Sequence, residues 1–348
     1  MSPGLLHIAA PTPRAEGAQL ASSLHDGSSS ACLGRDRAIY GLTPNDLAKR
    51  VKAGSLVRVR HGVYTDGQVW KGLKPWERYR LRVQAAAETF EKPTVFARHS
   101  AASVWGIPTI GLNHPVQALT MKNDGGRSRA GVRRHFAAPA GLMVVRREGL
   151  LVTGRVRTVL DLAAFTPFTE AAAPLDHVLR PDRTMRLPAV TKADLEAGIG
   201  SIYSAAARRR MLTALAFADP LSGSAGESYS RALIHVAGFE APVLQQAIHD
   251  EAGLVGYTDF YWKQAKVVGE FDGVEKYVKP EYLKGRTPVQ VVVEEKNREN
   301  RIRASGFNVV RWDWADLMEP GKLERKLAAA GVPRRRTRSA VLDAQTRP

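Results

Sequence analysis

The sequence predicts an α/β fold class in a multidomain α+β arrangement: a helix-and-hairpin module, an α/β middle region, and a C-terminal mixed sheet flanked by helices. Three observations predict it. The chain has 348 residues, more than the roughly 250–300 at which a single hydrophobic core stops growing. A dense helix-start signal at Leu42-Thr43-Pro44-Asn45-Asp46-Leu47 runs into the alternating stretch Ser55-Leu56-Val57-Arg58-Val59-Arg60. A strand–turn–strand–helix–strand order then fills the stretch from Tyr257 to Trp312. The expected division is a tail at 1–17, the module at 18–66, the middle at 67–218, the mixed sheet at 219–332 and a basic tail at 333–348.

The charge balance adds a partner class. Lys and Arg number 51 against 34 Asp and Glu, a net charge of +17. Such a surplus attracts polyanions, nucleic acid above all; the rival account is a chain rich in Arg throughout. The single cysteine, Cys32, leaves no internal disulfide framework and no Cys-based zinc site. No run approaches the roughly 18–20 apolar residues that span a bilayer. The start lacks a basic stretch followed by an apolar core. A cytoplasmic protein without membrane contact is the expectation.

In the first module Thr43 suits the N-cap, Pro44 the first helical position and Asp46 the capping-box position, with Leu42 and Leu47 as a hydrophobic staple. The helix should end near residue 53, with Gly54 as its left-handed stop. Leu47 and Val51 share one face; Asn45, Lys49 and Lys52 share the other. A helix with a polar, basic outer stripe can lie in a major groove. His61-Gly62 then turns the chain, and Arg58 and Arg60 project from one face of the hairpin. A helix followed by a basic hairpin is the plan of a winged helix-turn-helix. Its wing arginines would hold phosphates or enter a minor groove. A helix-hairpin that only packs on its neighbour is the other reading.

The segment from Gly41-Leu42-Thr43 through Gly54-Ser55-Leu56-Val57-Arg58-Val59-Arg60-His61-Gly62-Val63-Tyr64 resembles the N-terminal domain of AbiEi-type antitoxins of type IV toxin–antitoxin systems. Arg98-His99-Ser100-Ala101-Ala102-Ser103-Val104-Trp105-Gly106-Ile107-Pro108 and Val152-Thr153-Gly154-Arg155-Val156-Arg157-Thr158-Val159-Leu160-Asp161-Leu162 are similar to the segments that follow in that family. The resemblance covers about residues 35–165 and implies DNA binding and a cognate toxin as partner. From its residues alone the middle carries no chemistry. His99 reads as a structural histidine, Arg157 and Asp161 as a surface ion pair four residues apart, and Arg133-Arg134-His135 as either a phosphate contact or a solvated strand end.

Asp219-Pro220-Leu221-Ser222-Gly223 reads as a linker. Beyond it, Ser224-Ala225-Gly226-Glu227 opens a helix that stops near Gly238. Glu227 is either a capping-box acid or a fourth acid at a metal. The strand at Tyr257-Thr258-Asp259-Phe260-Tyr261-Trp262 turns at Lys263-Gln264 into a second strand ending at Asp272-Gly273. Val268, Glu270 and Asp272 share a face of that strand, and the hairpin can bring Asp259 to them. Clustered acids repel unless a cation neutralises them. Hard oxygen donors suit Mg²⁺ or Mn²⁺, so Asp259, Glu270 and Asp272, with Glu227, form the candidate metal set. A helix then starts at Thr287-Pro288-Val289-Gln290 and stops at Gly306. Val289, Val292 and Val293 should be its buried line, which continues to Lys296 and Asn300.

This order resembles the Vsr-like branch of the PD-(D/E)XK restriction-endonuclease superfamily over about residues 225–327. It does so through Gly226-Glu227-Ser228, Thr258-Asp259-Phe260, Gly269-Glu270-Phe271-Asp272-Gly273, and Glu295-Lys296 through Gly306-Phe307-Asn308-Val309-Val310-Arg311-Trp312. By that resemblance Asp259 and Glu270 bind the metal. Asp272 stands where the superfamily usually has its lysine. Lys276 or Lys296 would replace it, so the catalytic set is Asp259, Glu270, Asp272, Lys276 and Lys296. The expected function is a DNA-binding protein with a metal-dependent endonuclease-like domain, of toxin–antitoxin or phage-defence type. The alternatives are an antitoxin-type transcriptional regulator whose nuclease fold no longer cuts, and a module that neutralises a toxin protein.

Overall fold

A computed structural model describes residues 32–33, 42–120, 128, 131–137, 142–200, 203–273 and 287–335. The chain divides into two compact units, Met1–Glu91 and Lys92–Pro348. Among the described residues no helix is long and apolar enough to cross a membrane.

In the first unit, helix α1 (Pro44–Lys52) begins as its sequence dictates. Thr43 and Asp46 form the reciprocal capping box, with Pro44 in the first turn. The Thr43 hydroxyl and amide hold the Asp46 carboxyl below its ordinary range. Gly54 ends the helix at φ +72°. Strand β1 (Cys32–Leu33) lies beside β3 (Val63–Asp66), which pairs antiparallel with β2 (Leu56–Arg60), giving the order β1-β3-β2. Asp66 caps α2 (Gly67–Gly72), accepting from the amides of Gln68 and Val69. A Cβ at Gly67 would collide with the Gly54 carbonyl, so that helix start needs glycine. Helix α3 (Pro75–Thr89) buries Tyr79, Leu81, Val83, Ala85 and Ala86.

The second unit contains two sheets. The first has the order β6-β5-β4-β8-β7, from β4 (Val95–Phe96), β5 (Val116–Thr120), β6 (Val132–Phe136), β7 (Val144–Arg147) and β8 (Leu150–Thr153). Helix α4 (Arg98–Trp105) lies against β5 and β8, α5 (Arg155–Phe165) packs on α4, and α6 (Phe168–Val178) on α5. Helices α7 (Lys192–Gly198) and α8 (Ala205–Phe217) complete this layer, whose interior holds Leu160, Leu162, Leu175, Leu195 and Met211.

The second sheet has the order β12-β11-β10-β9. Strands β9 (Val243–Asp250), β10 (Gly253–Trp262) and β11 (Val267–Phe271) form an antiparallel meander, and β12 (Asn308–Trp312) returns parallel to β11. Alternate side chains on each strand point to opposite faces. One set, Phe260, Trp262, Val267, Phe271 and Trp312, packs with Ile234 of α9 (Ala225–Val236), Leu317 of α11 (Trp314–Met318), and Leu323 and Leu327 of α12 (Lys322–Ala329). The opposite set, Val268 and Val309 with Ile248, packs on Ile302 of the crossover helix α10 (Pro288–Ala304). The sheet is therefore covered on both faces, as expected for a strand set joined by a parallel crossover.

Two further features join this sheet to the rest of its unit. Helix α9 packs extensively on α6, and Arg231 spans the expected linker to bond Asp176 at 2.8 Å. Residues 333–335 are not separate from the fold: the Glu240 amide donates to the Pro333 carbonyl at 2.8 Å, and Arg334 pairs with Phe239.

The phase of α10 departs from the expectation. Val289 is 72% exposed and Val293 52% exposed, so these two valines are not on the buried line; the Val292 side chain lies outside the described ones. The inward line runs back from buried Ile302 through half-buried Arg298, Glu295 and Val291, at helical steps of three and four. The reason is that the helix is anchored by Ile302 against Val268 and Val309, which fixes its rotation from its C-terminal half. Lys296, predicted to follow the valines toward the sheet, is exposed.

Candidate functional site

Pairing of β10 with β11 sets the central geometry. Phe260 is opposite Gly269 and Tyr261 opposite Val268; one step further in the same register Asp259 meets Glu270, on the α10 face of the sheet. Both acids are buried, at 8% and 5% exposure. The Phe271 amide donates to Asp259 Oδ2 at 2.9 Å. Burial, and then the Asp259 charge, push the Glu270 carboxyl up to about 8, with Arg298 opposing. Glu270 Oε1 is buried without a hydrogen-bond partner. Its compensation is an ion pair, 3.2 Å from Arg298 Nη2, in a geometry outside that of a directed hydrogen bond. Two buried carboxylates thus lie side by side, one of them with an oxygen compensated only by Arg298. Carboxylate oxygens are the donors a hard divalent cation accepts, and Asp259 and Glu270 are the residues that could hold one.

Arginines hold the remaining acids. Arg298 donates to Glu295 from Nε at 2.9 Å and from Nη2 at 2.8 Å. Arg311, the β12 register partner of Glu270, donates to both Asp272 oxygens at 2.8 and 2.5 Å, to Glu295 at 2.9 Å and to Glu299 at 3.1 Å. The Asp272 contacts outweigh the burial of Arg311, and its proton is held more firmly than usual. For Arg298, burial works against the charge, yet Glu295 and Glu270 together raise its pKa. Asp272 is drawn to Arg311 rather than into the Asp259–Glu270 pair. Among the described residues no group of three or more His, Cys, Asp or Glu side chains is arranged to hold a metal ion.

The other predicted residues fall in different places. The Ser224 hydroxyl accepts from the Glu227 amide at 3.2 Å, and Glu227 Oε2 accepts from the amide of Gly223 at 2.6 Å and from Gln245 Nε2 at 3.4 Å. Glu227 thus acts in the cap of α9. The cap also lies close to the carboxylate strand: a Cβ at Gly226 would collide with the Phe271 ring. Lys276 lies outside the described residues. Arg298 and Arg311 escaped the sequence reading. The signal for Arg298 was present only in the spacing of Glu295, Arg298 and Ile302, a helical line that mixes charge with one aliphatic residue, and Arg311 is placed by the pairing of β12 with β11.

On the first unit Asn45, Lys49, Lys52 and Arg58 are all exposed. Arg60 is not equivalent to Arg58. The register shifts between them, and Arg60 turns to α3, where its Nε donates to Thr89 Oγ1 at 2.8 Å and its guanidinium lies 5.9 Å from the Phe90 ring centroid. The expected shared face of the two arginines is lost to this bulge, which inserts an extra residue and re-aims the side chain.

No family model matches the chain. Two Mycobacterium tuberculosis proteins, the uncharacterized protein Rv2248 of strain H37Rv and the uncharacterized protein MT2308 of strain CDC 1551, are each 28% identical to it over 289 residues, which is 82% of this chain and 96% of theirs. The crystal structure of the RV2827C protein from Mycobacterium tuberculosis aligns with a TM-score of 0.35 and 14% identity, covering 67% of this chain and 87% of that one.

Proposed function

We propose that the chain is a DNA-binding protein whose C-terminal sheet is a metal-dependent endonuclease of PD-(D/E)XK type, in a toxin–antitoxin or phage-defence setting. The carrying observation is the Asp259–Glu270 pair: two buried acids, adjacent across antiparallel strands, with Glu270 Oε1 lacking a hydrogen bond. Asp259 and Glu270 would hold Mg²⁺ or Mn²⁺. When bound, such a metal polarises a phosphoryl oxygen and makes a water acidic enough to attack. The amide of Phe271 orients Asp259. Arg298, in contact with Glu270, is the cation best set among the described residues to meet developing negative charge, beside the Lys276 suggested by the family resemblance. The helix-and-hairpin module, a winged-helix reader in this proposal, supplies affinity through Asn45, Lys49, Lys52 and Arg58.

A second reading is a regulator of antitoxin type with a nuclease fold that does not cut. Arg311 favours it, because it already neutralises Asp272 at two contacts. One experiment separates the two. Supercoiled and single-stranded DNA are incubated with the protein across Mg²⁺ and Mn²⁺ concentrations. Nicking that disappears in Asp259→Ala supports the enzyme. Intact DNA under all conditions, with binding retained, supports the regulator.

A further inference from the structure

The second unit carries another charged cluster, on α4, α5 and β6. Helix α4 opens at Arg98, whose φ of 51° lies in the left-handed region, a conformation that costs a non-glycine residue of the order of 1 kcal/mol or more and persists where surroundings enforce it. The guanidinium of Arg98 sits 3.9 Å from the centroid of the Phe165 ring. It has no hydrogen-bond acceptor and no ion-pair partner among the described residues. The start of the helix is fixed from behind: the His99 amide and Nδ1 each lie 3.3 Å from Gln117 Oε1, His99 stacks on His114 at 3.7 Å, and the Gln117 amide donates to Ser100 Oγ at 2.8 Å.

Strand β6 supplies the second wall. Arg133 pairs in register with Gln117, and His135 with Leu119, so both share the face that carries Gln117 toward α4. Arg133 is exposed and has no acceptor among the described residues. His135 Nε2 is buried without a hydrogen-bond partner. Burial, then the charges of Arg98 and Arg133, push this imidazole down to about 4, so it is neutral at physiological pH.

The third wall is α5. Asp161 is 2% exposed and is no surface residue: Arg157 Nε donates to its Oδ1 at 2.9 Å and the Tyr203 hydroxyl donates to the same oxygen at 2.8 Å. This carboxylate is already committed. It is also the negative charge that acts on Arg98, against the positive fields of Arg157 and Arg133. Arg157 and Arg98 thus act on one acid, while Arg133 adds its positive field at Arg98 and His135. Like charges gathered at a half-buried site repel, and an arriving anion relieves them. Guanidinium forks match the oxygens of phosphate bidentately.

We propose that Arg98, Arg133 and the unpartnered Nε2 of His135, backed by the Arg157–Asp161–Tyr203 triplet, form an anion site that takes a phosphate group. Phe165 holds the Arg98 fork flat, Arg133 closes from the edge strand, and His135 Nε2 donates in the tautomer that carries its proton there. The site uses neither Asp259 nor Glu270, so it stands apart from the nuclease reading.

The test uses the full chain at fixed ionic strength. Inorganic phosphate is titrated calorimetrically into wild type, Arg98→Gln and Arg133→Gln, and thermal melts check the fold. Saturable one-to-one binding that weakens by about tenfold or more in each variant, the loss of about 1.4 kcal/mol, is the expected result. Arg133 lies exposed on an edge strand, so Arg133→Gln decides the matter if Arg98→Gln fails to fold. Absent phosphate binding, or equal binding in wild type and Arg133→Gln, overturns the site. A nucleoside monophosphate and a short duplex are then titrated to find the source of the phosphate. Loss of duplex affinity in Arg133→Gln assigns it to a nucleic-acid strand. Loss of mononucleotide affinity alone assigns it to a free phosphomonoester.

Discussion

Asp259 and Glu270 confront each other across β10 and β11, and the Phe271 amide, one residue beyond Glu270, donates 2.9 Å to Asp259 Oδ2. Two acids in this position share one environment. Whatever neutralises one acts on the other, whether a proton, Arg298 or a divalent cation.

Calorimetric titration with Mn²⁺ should therefore show a single binding event that Glu270→Gln removes, because the amide keeps the shape but not the charge. Glu227→Ser should separate the two roles of that residue. As a cap acid, its loss lowers the melting temperature and leaves Mn²⁺ affinity unchanged; reduced affinity at unchanged stability would place it at the metal. Equal titrations of wild type and Glu270→Gln would show that the acids do not act jointly.

DNA affinity should respond to Arg58 and much less to Arg60. Each phosphate neutralised adds about 0.9 to the slope of log affinity against log salt. Arg58→Ala should flatten that slope by about one unit in a gel-shift titration. Arg60→Ala should leave it nearly unchanged and lower stability instead, since Arg60 serves Thr89 and Phe90. Equal flattening by the two variants would restore the shared wing face.

His99 gives an acid-side dependence. Burial, then the charge of His114, push its imidazole down to about 4 from 6.5. A base with a depressed folded value contributes stability that is complete above 6.5 and is lost as pH falls toward 4. Melting temperatures measured from pH 7 to pH 4 should fall more steeply for wild type than for His99→Gln. Parallel curves would show that His99 carries its proton equally well folded and unfolded.

Arg231→Met should be the most damaging of these substitutions. Arg231 donates to Asp176 at 2.8 and 3.0 Å, to the Phe217 carbonyl at 2.7 Å and to Ser222 Oγ at 3.2 Å. Asp176 is fully buried, and removing one partner of a buried pair costs about 3–5 kcal/mol. Urea unfolding should register that loss, and Asp176→Asn combined with Arg231→Met should recover part of it. No recovery would mean that Arg231 acts through Phe217 and Ser222.

Local features of the chain were readable in advance. The capping box at Thr43 and Asp46, the glycine stops at Gly54 and Gly306, and the adjacency of Asp259 and Glu270 all follow from contacts a few residues apart or from a single tight hairpin. Features set at long range were not. The rotation of α10 is decided by Ile302 against β11 and β12, so the valines at its start mislead. Asp161 looked like half of a surface pair because Tyr203, the residue that helps bury and bind it, comes 42 residues later. Arg311 meets Asp272 only because β12 returns beside β11, a pairing that spans 39 residues. A one-residue bulge was enough to separate Arg60 from Arg58.

The Arg231–Asp176 pair also has a bearing on synthesis. Fifty-five residues separate the partners, and at about 5–20 residues per second a ribosome needs roughly 3–11 s to make them. For that interval Asp176 has emerged, or is emerging, without the guanidinium that lets it be buried. Helix α6 can pack on α5 and α8 in that time, but its contact with α9 is still missing. Burial of the Asp176 carboxylate with its partner therefore waits for Arg231, and α6 and α9 close on each other only after α9 has been made.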